Sequence, residues 1–396
     1  MELQEVYLVD YLRTAFTRAK PDEPSRDLFN SIRMDQALAL LYSTLVHRNG
    51  VNAQEIDDVI TGCALQVDEN WLFGGRHPVL LADFPVSVPA QAIDRQCASS
   101  MNAIASGALE IMCGHAGIVL AGGMEHMTHV PMVDNKHISP NMRLLVRPEY
   151  LKFQMNVGYF MGLTAEKLAE VEGFTREEMD RYSVESHRRT ARSYDEGYFK
   201  HEILPIRVEV DGEEKVVEQD QSLRRDTSLE KLSALPPAFK EGGKITAGNS
   251  SPMNTGASAV LLMSKAKVEQ YGLKPLARIL GFGWAGVEPS LMGKGPVPAT
   301  KKALQRLALK IEDIDLWEIN EAFAVVVLYA MRELGLEHSK VNAHGGAIAI
   351  GHPLGATGAR LVGTLARQLV LHDKRLGVAT LCVGGGQGFT TVIEKF

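Results

Sequence analysis

Two cysteines and one histidine lie in glycine-rich or small-residue surroundings, and their side chains could together carry out acyl transfer through sulfur. Cys97 lies just before a run of small residues, Ala-Ser-Ser-Met-Asn-Ala. Cys382 is followed closely by three consecutive glycines, and His352 lies among glycines in the segment 345–355. A thiolate is a strong nucleophile whose formation is helped by a neighbouring base. If the fold brings the three side chains together, one thiol can attack a substrate while the other moves protons.

The position of Cys97 predicts an activated thiol, because the residues after it are expected to form a helix. A thiol at a helix N-terminus feels the positive end of the helix dipole and ionises more easily. The glycines after Cys382 let backbone N–H groups approach a ligand and stabilise an oxyanion. Taken singly, each cysteine is also typical of a small buried core residue, and Cys63 and Cys113 keep that interpretation.

Polar residues elsewhere in the chain could assist a thiol if the fold brings them close to it. His352 lies in a loop, where histidine is more often functional than on a surface helix. We expect the nearby His344 to have a structural, hydrogen-bonding role. Asn320 and Glu321 follow a strand-like run. Asn320 there could hold a water or an oxyanion donor, or could simply cap a helix.

Length and composition limit the class of protein that these residues serve. The chain has 396 residues, 45% hydrophobic and 23% charged, as in globular proteins of two or three domains. A net charge of −6 without a basic block gives no indication of nucleic-acid binding. The four cysteines are too far apart for a disulfide framework or a metal-ligand pattern. We see no signal peptide and no membrane-spanning stretch, and expect a cytoplasmic protein.

The elements that must position the candidate residues alternate between strands and helices, which predicts an α/β fold. The first section is expected to hold strands over 6–9, 56–62 and 117–123, the last ending at glycines, and helices over 31–47 and 99–112. The following section is richer in methionine, histidine and charge. It is expected to hold helices over 164–172 and 176–196 and an exposed hairpin at Asp211-Gly212.

The third section repeats the pattern of the first, which predicts an internal duplication. Asp57 and Asp315 lie in similar strand-like runs, 258 positions apart (315 minus 57). The same shift takes Cys97 to Gly355, at the start of another helical run. We therefore expect an N-terminal core domain over 1–121 with a return segment at 254–273, an inserted loop domain over 122–253, and a C-terminal core domain over 274–396.

Several of these motifs together resemble the thiolase family, and the resemblance covers essentially the whole chain in the family's order. The matching segments are 97–101, 122–127, 161–166, 320–323, 345–355 and 382–388. The resemblance implies a duplicated, layered αβαβα fold with two similar core domains and an inserted loop domain. The resemblance is strongest to the degradative thiolases of fatty-acid β-oxidation, which cleave 3-ketoacyl-CoA with CoA.

The resemblance also implies a role for each matching residue. Cys97 would take the acyl group as a thioester, His352 would activate its thiol, and Cys382 would act as acid and base. One oxyanion site would combine His352 with a water held by Asn320, and the other the backbone N–H groups of Cys97 and Gly384. No permanent cofactor or metal is implied. CoA and the acyl chain would be bound by Arg224, Ser251, Met161, Phe160, Met292 and Phe323.

Departures from the family pattern affect substrate range rather than the reaction. Biosynthetic acetoacetyl-CoA thiolases carry histidine where Phe160 stands, so this residue favours a degradative enzyme with longer substrates. Thr255 and Pro236 replace a common aspartate and arginine. The alternatives are an acetyl-CoA acetyltransferase, a condensing enzyme of the same fold, against which Cys382 argues, and a non-catalytic acyl-CoA-binding subunit. The resemblance implies a homodimer or tetramer, and possible association with a hydratase–dehydrogenase subunit.

Overall fold

Strands and helices alternate along most of the chain in the computed structural model, which describes residues 3–396. The strands are β1 (Val6–Arg13), β2 (Thr17–Arg18), β3 (Asp58–Gly62), β4 (Ala90–Ile93), β5 (Ile118–His126), β6 (Ile206–Val210), β7 (Glu213–Val217), β8 (Asn254–Ser264), β9 (Ala277–Gly286), β10 (Leu316–Ile319), β11 (Leu376–Val383) and β12 (Gln387–Lys395). The α-helices are α1 (Met34–Arg48), α2 (Arg76–Leu81), α3 (Ser99–Met112), α4 (Arg143–Val146), α5 (Met155–Gly158), α6 (Met161–Val171), α7 (Arg176–Asp195), α8 (Leu229–Ser233), α9 (Lys265–Tyr271), α10 (Pro296–Arg306), α11 (Ala324–Leu334) and α12 (Leu354–Leu371).

Ten of these strands form one continuous sheet with two similar halves. The strand order is β10-β11-β12-β9-β1-β8-β5-β3-β4, and the short β2 pairs with β8. The halves join where Val6–Leu8 of β1 pair with Ala277–Ile279 of β9. Each half contains a corresponding parallel pair, β3 with β5 and β10 with β11. The site lies between these halves, as described below.

Helices and sheet halves are stacked in alternating layers, with two helices at the centre. α3 and α12 pack against each other between the halves, and α12 contacts strands of both. α1 covers the outer face of the first half, and α10 covers that of the second. Buried apolar clusters fill the outer face of each half and the space around α3 and α12. The layered α/β fold that the sequence predicts is confirmed.

The two halves repeat each other in hydrogen bonding as well as in order. Asp57 accepts bonds of 2.7 and 3.0 Å from the backbone N–H groups at the start of β5. Asp315 accepts bonds of 3.0 and 2.9 Å from those at the start of β11. These are the two aspartates that the sequence pattern places at equivalent positions. Each of them binds the backbone at the start of a strand in its own half.

One predicted strand end is wrong. β5 was expected to end at Gly122-Gly123, but it continues to His126, and its last three residues pair with β8. Glycine is needed at position 123 for packing rather than for a turn, because a Cβ there would meet the Gly62 carbonyl 2.6 Å away. The expected domain boundary after residue 121 therefore falls inside a strand. By contrast, α3 spans the predicted residues 99–112.

The segment between β5 and β8 consists of helices, loops and a hairpin. α6 and α7 match the two predicted helices within a few residues. β6 and β7 form the predicted hairpin around Asp211-Gly212, both of which have positive φ. Among residues 3–396, no helix combines the length and the apolar character that a membrane span requires.

Candidate active site

Cys97 lies in a tight turn, residues 96–98, that leads directly into α3. Gln96 before it adopts a positive φ of 47°, and the Cys97 side chain is buried. Burial raises the pKa of the Cys97 thiol to about 11, and the backbone N–H of Gly384 opposes that rise. The predicted helix position is confirmed. Burial thus opposes the easier ionisation that a position at a helix N-terminus favours.

His352 is buried and its ring orientation is fixed. Its backbone N–H donates to Asn254 Oδ1 at 2.8 Å, and its Nδ1 lies 2.7 Å from Thr357 Oγ1. The Thr357 hydroxyl donates to the Pro353 carbonyl, so it accepts the Nδ1–H and leaves Nε2 as the basic nitrogen. Burial, followed by the charge of Arg360, lowers the pKa of His352 to about 3. The ring therefore rests neutral and able to accept a proton.

Asn320 points its amide at this basic nitrogen. Its Nδ2 lies 3.3 Å from His352 Nε2, and its Oδ1 has no hydrogen-bond partner among residues 3–396. The helix-cap alternative is wrong, because α11 begins only at Ala324, with Phe323 in the cap position. A buried amide with an unused oxygen is suited to hold a water or a substrate group beside the histidine.

Cys382 lies near the end of β11, just before the glycine loop. Burial raises the pKa of its thiol far above the usual value, and the neighbouring Cys97 thiol adds to that rise. Gly386 has a φ of 81°, and a Cβ there would lie 2.5 Å from the Val287 carbonyl. Only glycine fits that position, so the loop is held in a shape that brings its backbone up to the thiols.

The structure brings the five predicted catalytic residues together between the two sheet halves. The turn that carries Cys97 packs against both α12 and β11. The first half thus supplies one thiol, and the second supplies the histidine, the amide, the other thiol and the glycine loop. The residues are Cys97, His352, Cys382, Asn320 and Gly384. A nucleophile, a neutral base, a second proton carrier and backbone donors are the groups that acyl transfer requires.

Glu125 is a buried carboxylate whose role was not predicted from the sequence. Its oxygens accept backbone N–H bonds from Ala64 at 2.9 Å, Leu65 at 3.1 Å and Gly355 at 2.9 Å. The Asn70 amide also donates to it, at 2.9 Å. Burial raises the pKa of Glu125 to about 7 despite these bonds. It ties the start of α12 to the first half. The one indication of a role for Glu125 in the sequence was that it lies in the segment 122–127, which resembles the thiolase family.

Glu321 is a second buried carboxylate, directly after Asn320. It accepts hydrogen bonds from the Tyr182 hydroxyl and the Ser186 hydroxyl, both at 2.7 Å. It also accepts the Ile348 backbone N–H at 3.1 Å. Glu321 therefore anchors the glycine-rich segment before His352 to α7. Its adjacency to Asn320 was visible in the sequence, but these distant partners were not.

The residues expected to line an acyl pocket are partly brought together. Met292 and Phe323 are buried in one apolar cluster, and Met161 packs against it. Phe323 also meets Phe239 edge-on, with ring centroids 6.0 Å apart. Phe160 lies outside this cluster and is 55% exposed. Its side chain therefore does not fill the core.

The two residues expected to contact CoA differ in exposure. Ser251 donates from its backbone N–H and its hydroxyl, at 3.0 and 3.1 Å, to the carbonyl of Ala322, two residues after Asn320. Arg224 is exposed, and its backbone N–H donates to His187 Nδ1 at 3.2 Å. Ser251 thus adjoins the catalytic loop, whereas Arg224 lies on the surface of the inserted segment.

Histidines away from this site have other partners. His344 Nδ1 lies 2.7 Å from Ser193 Oγ, and its Nε2 lies 3.0 Å from His372 Nε2, in line with the expected structural role. His126 and His129 lie near Glu69, close enough to suggest a metal site. Their rings are stacked 3.8 Å apart at 10°, however, so one ion cannot lie in both ring planes. Within that cluster, His129 Nδ1 instead lies 3.0 Å from Glu69 Oε1.

Comparisons with known proteins agree with this geometry. Residues 6–266 match the family description "Thiolase, N-terminal domain" and residues 273–395 match "Thiolase, C-terminal domain". The chain is 42% identical to a 3-ketoacyl-CoA thiolase of Saccharophagus degradans, covering 100% of this chain and 99% of that protein. It is 41% identical to one of Klebsiella pneumoniae, covering 99% and 100%.

Solved structures give the same answer. The human mitochondrial 3-ketoacyl-CoA thiolase superposes with a TM-score of 0.89 at 34% identity, over 100% of both chains. An acetyl-CoA acetyltransferase from Bacillus anthracis superposes with a TM-score of 0.85 at 35% identity, also over 100% of both. Both sequence and fold therefore match over the full length, and the chain belongs to the thiolase family.

Proposed function

We propose that this chain is a 3-ketoacyl-CoA thiolase, which cleaves 3-ketoacyl-CoA with CoA to give acetyl-CoA and a shortened acyl-CoA. The observation that carries the proposal is the convergence of Cys97, His352 and Cys382 in one buried site, in a chain of the thiolase family. Such a cleavage shortens acyl chains during fatty-acid oxidation.

In the first half-reaction, the Cys97 sulfur attacks the 3-keto carbon while His352 Nε2 takes the thiol proton. The tetrahedral alkoxide collapses to an acyl thioester and the bond between carbons 2 and 3 breaks. The leaving acetyl-CoA enolate takes its proton from the Cys382 thiol. Splitting one difficult carbon–carbon cleavage through a thioester lowers the barrier of each step.

In the second half-reaction, the Cys382 thiolate removes the proton of the incoming CoA thiol. The CoA sulfur attacks the thioester, Cys97 leaves as a thiolate, and the proton on His352 returns to it. Both thiols therefore end in the state in which they began. His352 and Cys382 thus each act once as an acid and once as a base during the full reaction.

Negative charge develops on two oxygens during these steps, and the site has donors for both. Asn320 and protonated His352 are disposed to stabilise the oxygen of the leaving enolate. The backbone N–H groups of Cys97 and Gly384 are disposed to stabilise the thioester-derived alkoxide. Oriented donors in a buried site are worth far more than the same groups in water.

The neutral resting state of Cys97 and His352 supports this scheme. A pKa of the thiol near 11 and of the ring near 3 hold both groups uncharged before substrate enters. Proton transfer between them then creates two charges at the moment when the substrate carbonyl can use them. We infer that CoA is the co-substrate, covered by the inserted segment 122–253, with Arg224 and Ser251 among its contacts.

A second candidate is an acetyl-CoA acetyltransferase limited to the four-carbon substrate. The similarity of this chain to the Bacillus anthracis acetyl-CoA acetyltransferase supports this second candidate. Exposed Phe160, where a histidine would suit the small substrate, favours longer chains. Thiolysis of 3-ketoacyl-CoA substrates of increasing chain length, followed by loss of the magnesium–enolate absorbance, separates the two. Activity beyond four carbons supports our proposal, and activity on acetoacetyl-CoA alone would overturn it in favour of the acetyltransferase.

We also propose that the chain works as a homodimer at least, in the cytoplasm. Apolar side chains around α2 and the edge strand β4 are half exposed or more: Trp71, Phe73, Leu80, Leu81 and Val86. An exposed apolar patch beside a free sheet edge is suited to an interface between copies. Light scattering at assay concentration tests this, and a monomer mass would contradict it. A hydratase–dehydrogenase partner would show as a larger complex when the two are co-purified.

A further inference from the structure

Two rows of polar contacts connect α12 to the strand β10 and the residues after it. Thr357 and Arg360 are three apart on α12, so they share a helix face. Glu318 and Asn320 are two apart along the extended chain, so they share a strand face. The first row joins His352 to Thr357 and Asn320, as described above. The second row lies behind it, where Arg360 Nη1 donates to Glu318 Oε2 at 2.7 Å.

The second row is an ion pair without access to solvent. Both side chains are 0% exposed. Gln368, about two turns further along α12, donates to the other Glu318 oxygen at 2.7 Å. Arg360 Nε and Nη2 have no hydrogen-bond partner among residues 3–396. A buried guanidinium with only part of its donors used exerts a strong field on its surroundings.

We propose that Arg360 and Glu318 are a positioning pair for the reaction: they hold β10 and the following Asn320 against α12, and their charges set the proton affinity of His352 and, through this base, the ease with which Cys97 loses its proton. The inference rests on the proposed function, since it assigns a purpose to charges behind the proposed base. Neither residue touches the reacting atoms. Each acts through the histidine and asparagine in front of it.

Each element that packs around His352 contributes an ionisable group. Cys97 precedes α3, Cys382 lies on β11, Glu125 on β5 bonds the start of α12, and Glu321 follows Asn320. Among residues 3–396, Arg360 is the one group whose charge acts on the pKa of His352, lowering it in addition to burial. The charges that act on the pKa of Cys97 are those of Glu125 and Asp94, and both raise it. Burial raises the pKa of Glu318 to about 7, so above neutral pH it carries the charge that balances Arg360.

Opposite charges make opposite predictions. Glu318→Gln removes the negative charge, so the positive field at His352 and Cys97 rises and both lose protons at lower pH. Arg360→Met removes the positive charge, so both hold their protons to higher pH. A nearby charge in a buried site shifts a pKa by about one unit or more. A merely structural pair would give changes of the same sign, because both variants would loosen the same contact.

The test is the pH dependence of Cys97 alkylation by iodoacetamide in the full-length protein. Peptide mass spectrometry separates Cys97 from the exposed Cys113. We expect the alkylation midpoint to fall by about one pH unit in Glu318→Gln and to rise by about one unit in Arg360→Met. Arg360→Lys, which keeps the charge, should restore the parental midpoint even if Arg360→Met does not fold.

A matched control separates local charge from general loosening. Glu202 is equally buried, is paired with buried Arg13 at 3.0 Å, and accepts from Thr364 of α12 at 3.1 Å. Its charge acts on Glu318 and not directly on His352, so Glu202→Gln should move the alkylation midpoint clearly less than Glu318→Gln does. Unmoved midpoints, or shifts of the same sign in both pair variants, would overturn the inference. Thiolysis by the parental protein is measured separately, so loss of the proposed function would be seen independently of this result.

Discussion

Burial at the active residues decides their resting charge more than local sequence does. The sequence identified Cys97, His352 and Cys382 from their glycine and small-residue settings. It could not give their proton affinities, because these depend on the low-dielectric site that only the folded halves create. The tautomer of His352 was equally hidden, since it depends on a hydroxyl five positions along the chain that itself bonds to Pro353.

Thr357→Val tests that tautomer. The variant keeps the shape of the side chain but removes the acceptor of the His352 Nδ1–H, so Nε2 is no longer held as the base. We expect kcat for thiolysis to fall on the order of a hundredfold, with KM little changed. Thr300→Val is the control, because this buried threonine bonds to Thr390 and to none of the site residues. Equal kinetics in the two variants would contradict the assignment.

At the scale of elements, the glycine-rich segment before α12 is positioned by residues distant in sequence. Its glycines were visible, but the carboxylates that hold it were not, because their partners come from the loop after β3, from α7 and from the start of α12. A Cβ on Gly351, whose φ is 124°, would lie 2.7 Å from the Asn254 amide. That amide accepts the His352 backbone N–H, so the glycine protects the position of the base.

Gly351→Ala should therefore lower thiolysis activity by more than it lowers stability. We expect kcat/KM to fall at least about tenfold because Asn254 must move. Gly272→Ala is the matched control, since Gly272 also has positive φ, at 61°, but an added Cβ meets nothing within 4 Å. That control carries the backbone strain without the collision. Thermal unfolding measured on both separates strain from displacement, and unchanged kcat/KM in Gly351→Ala would refute the role given to Asn254.

At the scale of the whole molecule, the site exists because two repeated halves meet. The repeat of Asp57 and Asp315 could be predicted, and so could the α/β class, since both depend on local patterns. The joining of halves through β1 and β9, and the continuation of β5 past its glycines, could not. Those features depend on packing between segments more than a hundred residues apart.

The inserted segment is fixed to the core by the buried Arg13. Its guanidinium bonds Glu202 at 3.0 Å and Asp220 at 2.7 Å, and all three side chains are 0% exposed. Arg13→Ala leaves two carboxylates buried and unpaired, so we expect the free energy of unfolding to fall by about 3–5 kcal/mol in urea titration. Arg207→Ala, which breaks an exposed pair with Glu214, should cost about 1 kcal/mol or less. Equal losses would contradict this account.

The central claim is that Cys97 carries the acyl group. Mixing the protein with a long-chain 3-ketoacyl-CoA in the absence of free CoA, followed by acid quench and mass spectrometry, tests it most directly. We predict a mass increase equal to the shortened acyl group, located on the Cys97 peptide, released as acyl-CoA when CoA is added, and absent in Cys97→Ala. An adduct on Cys382 or Cys113, or turnover with no acyl-enzyme in any quench, would contradict the account.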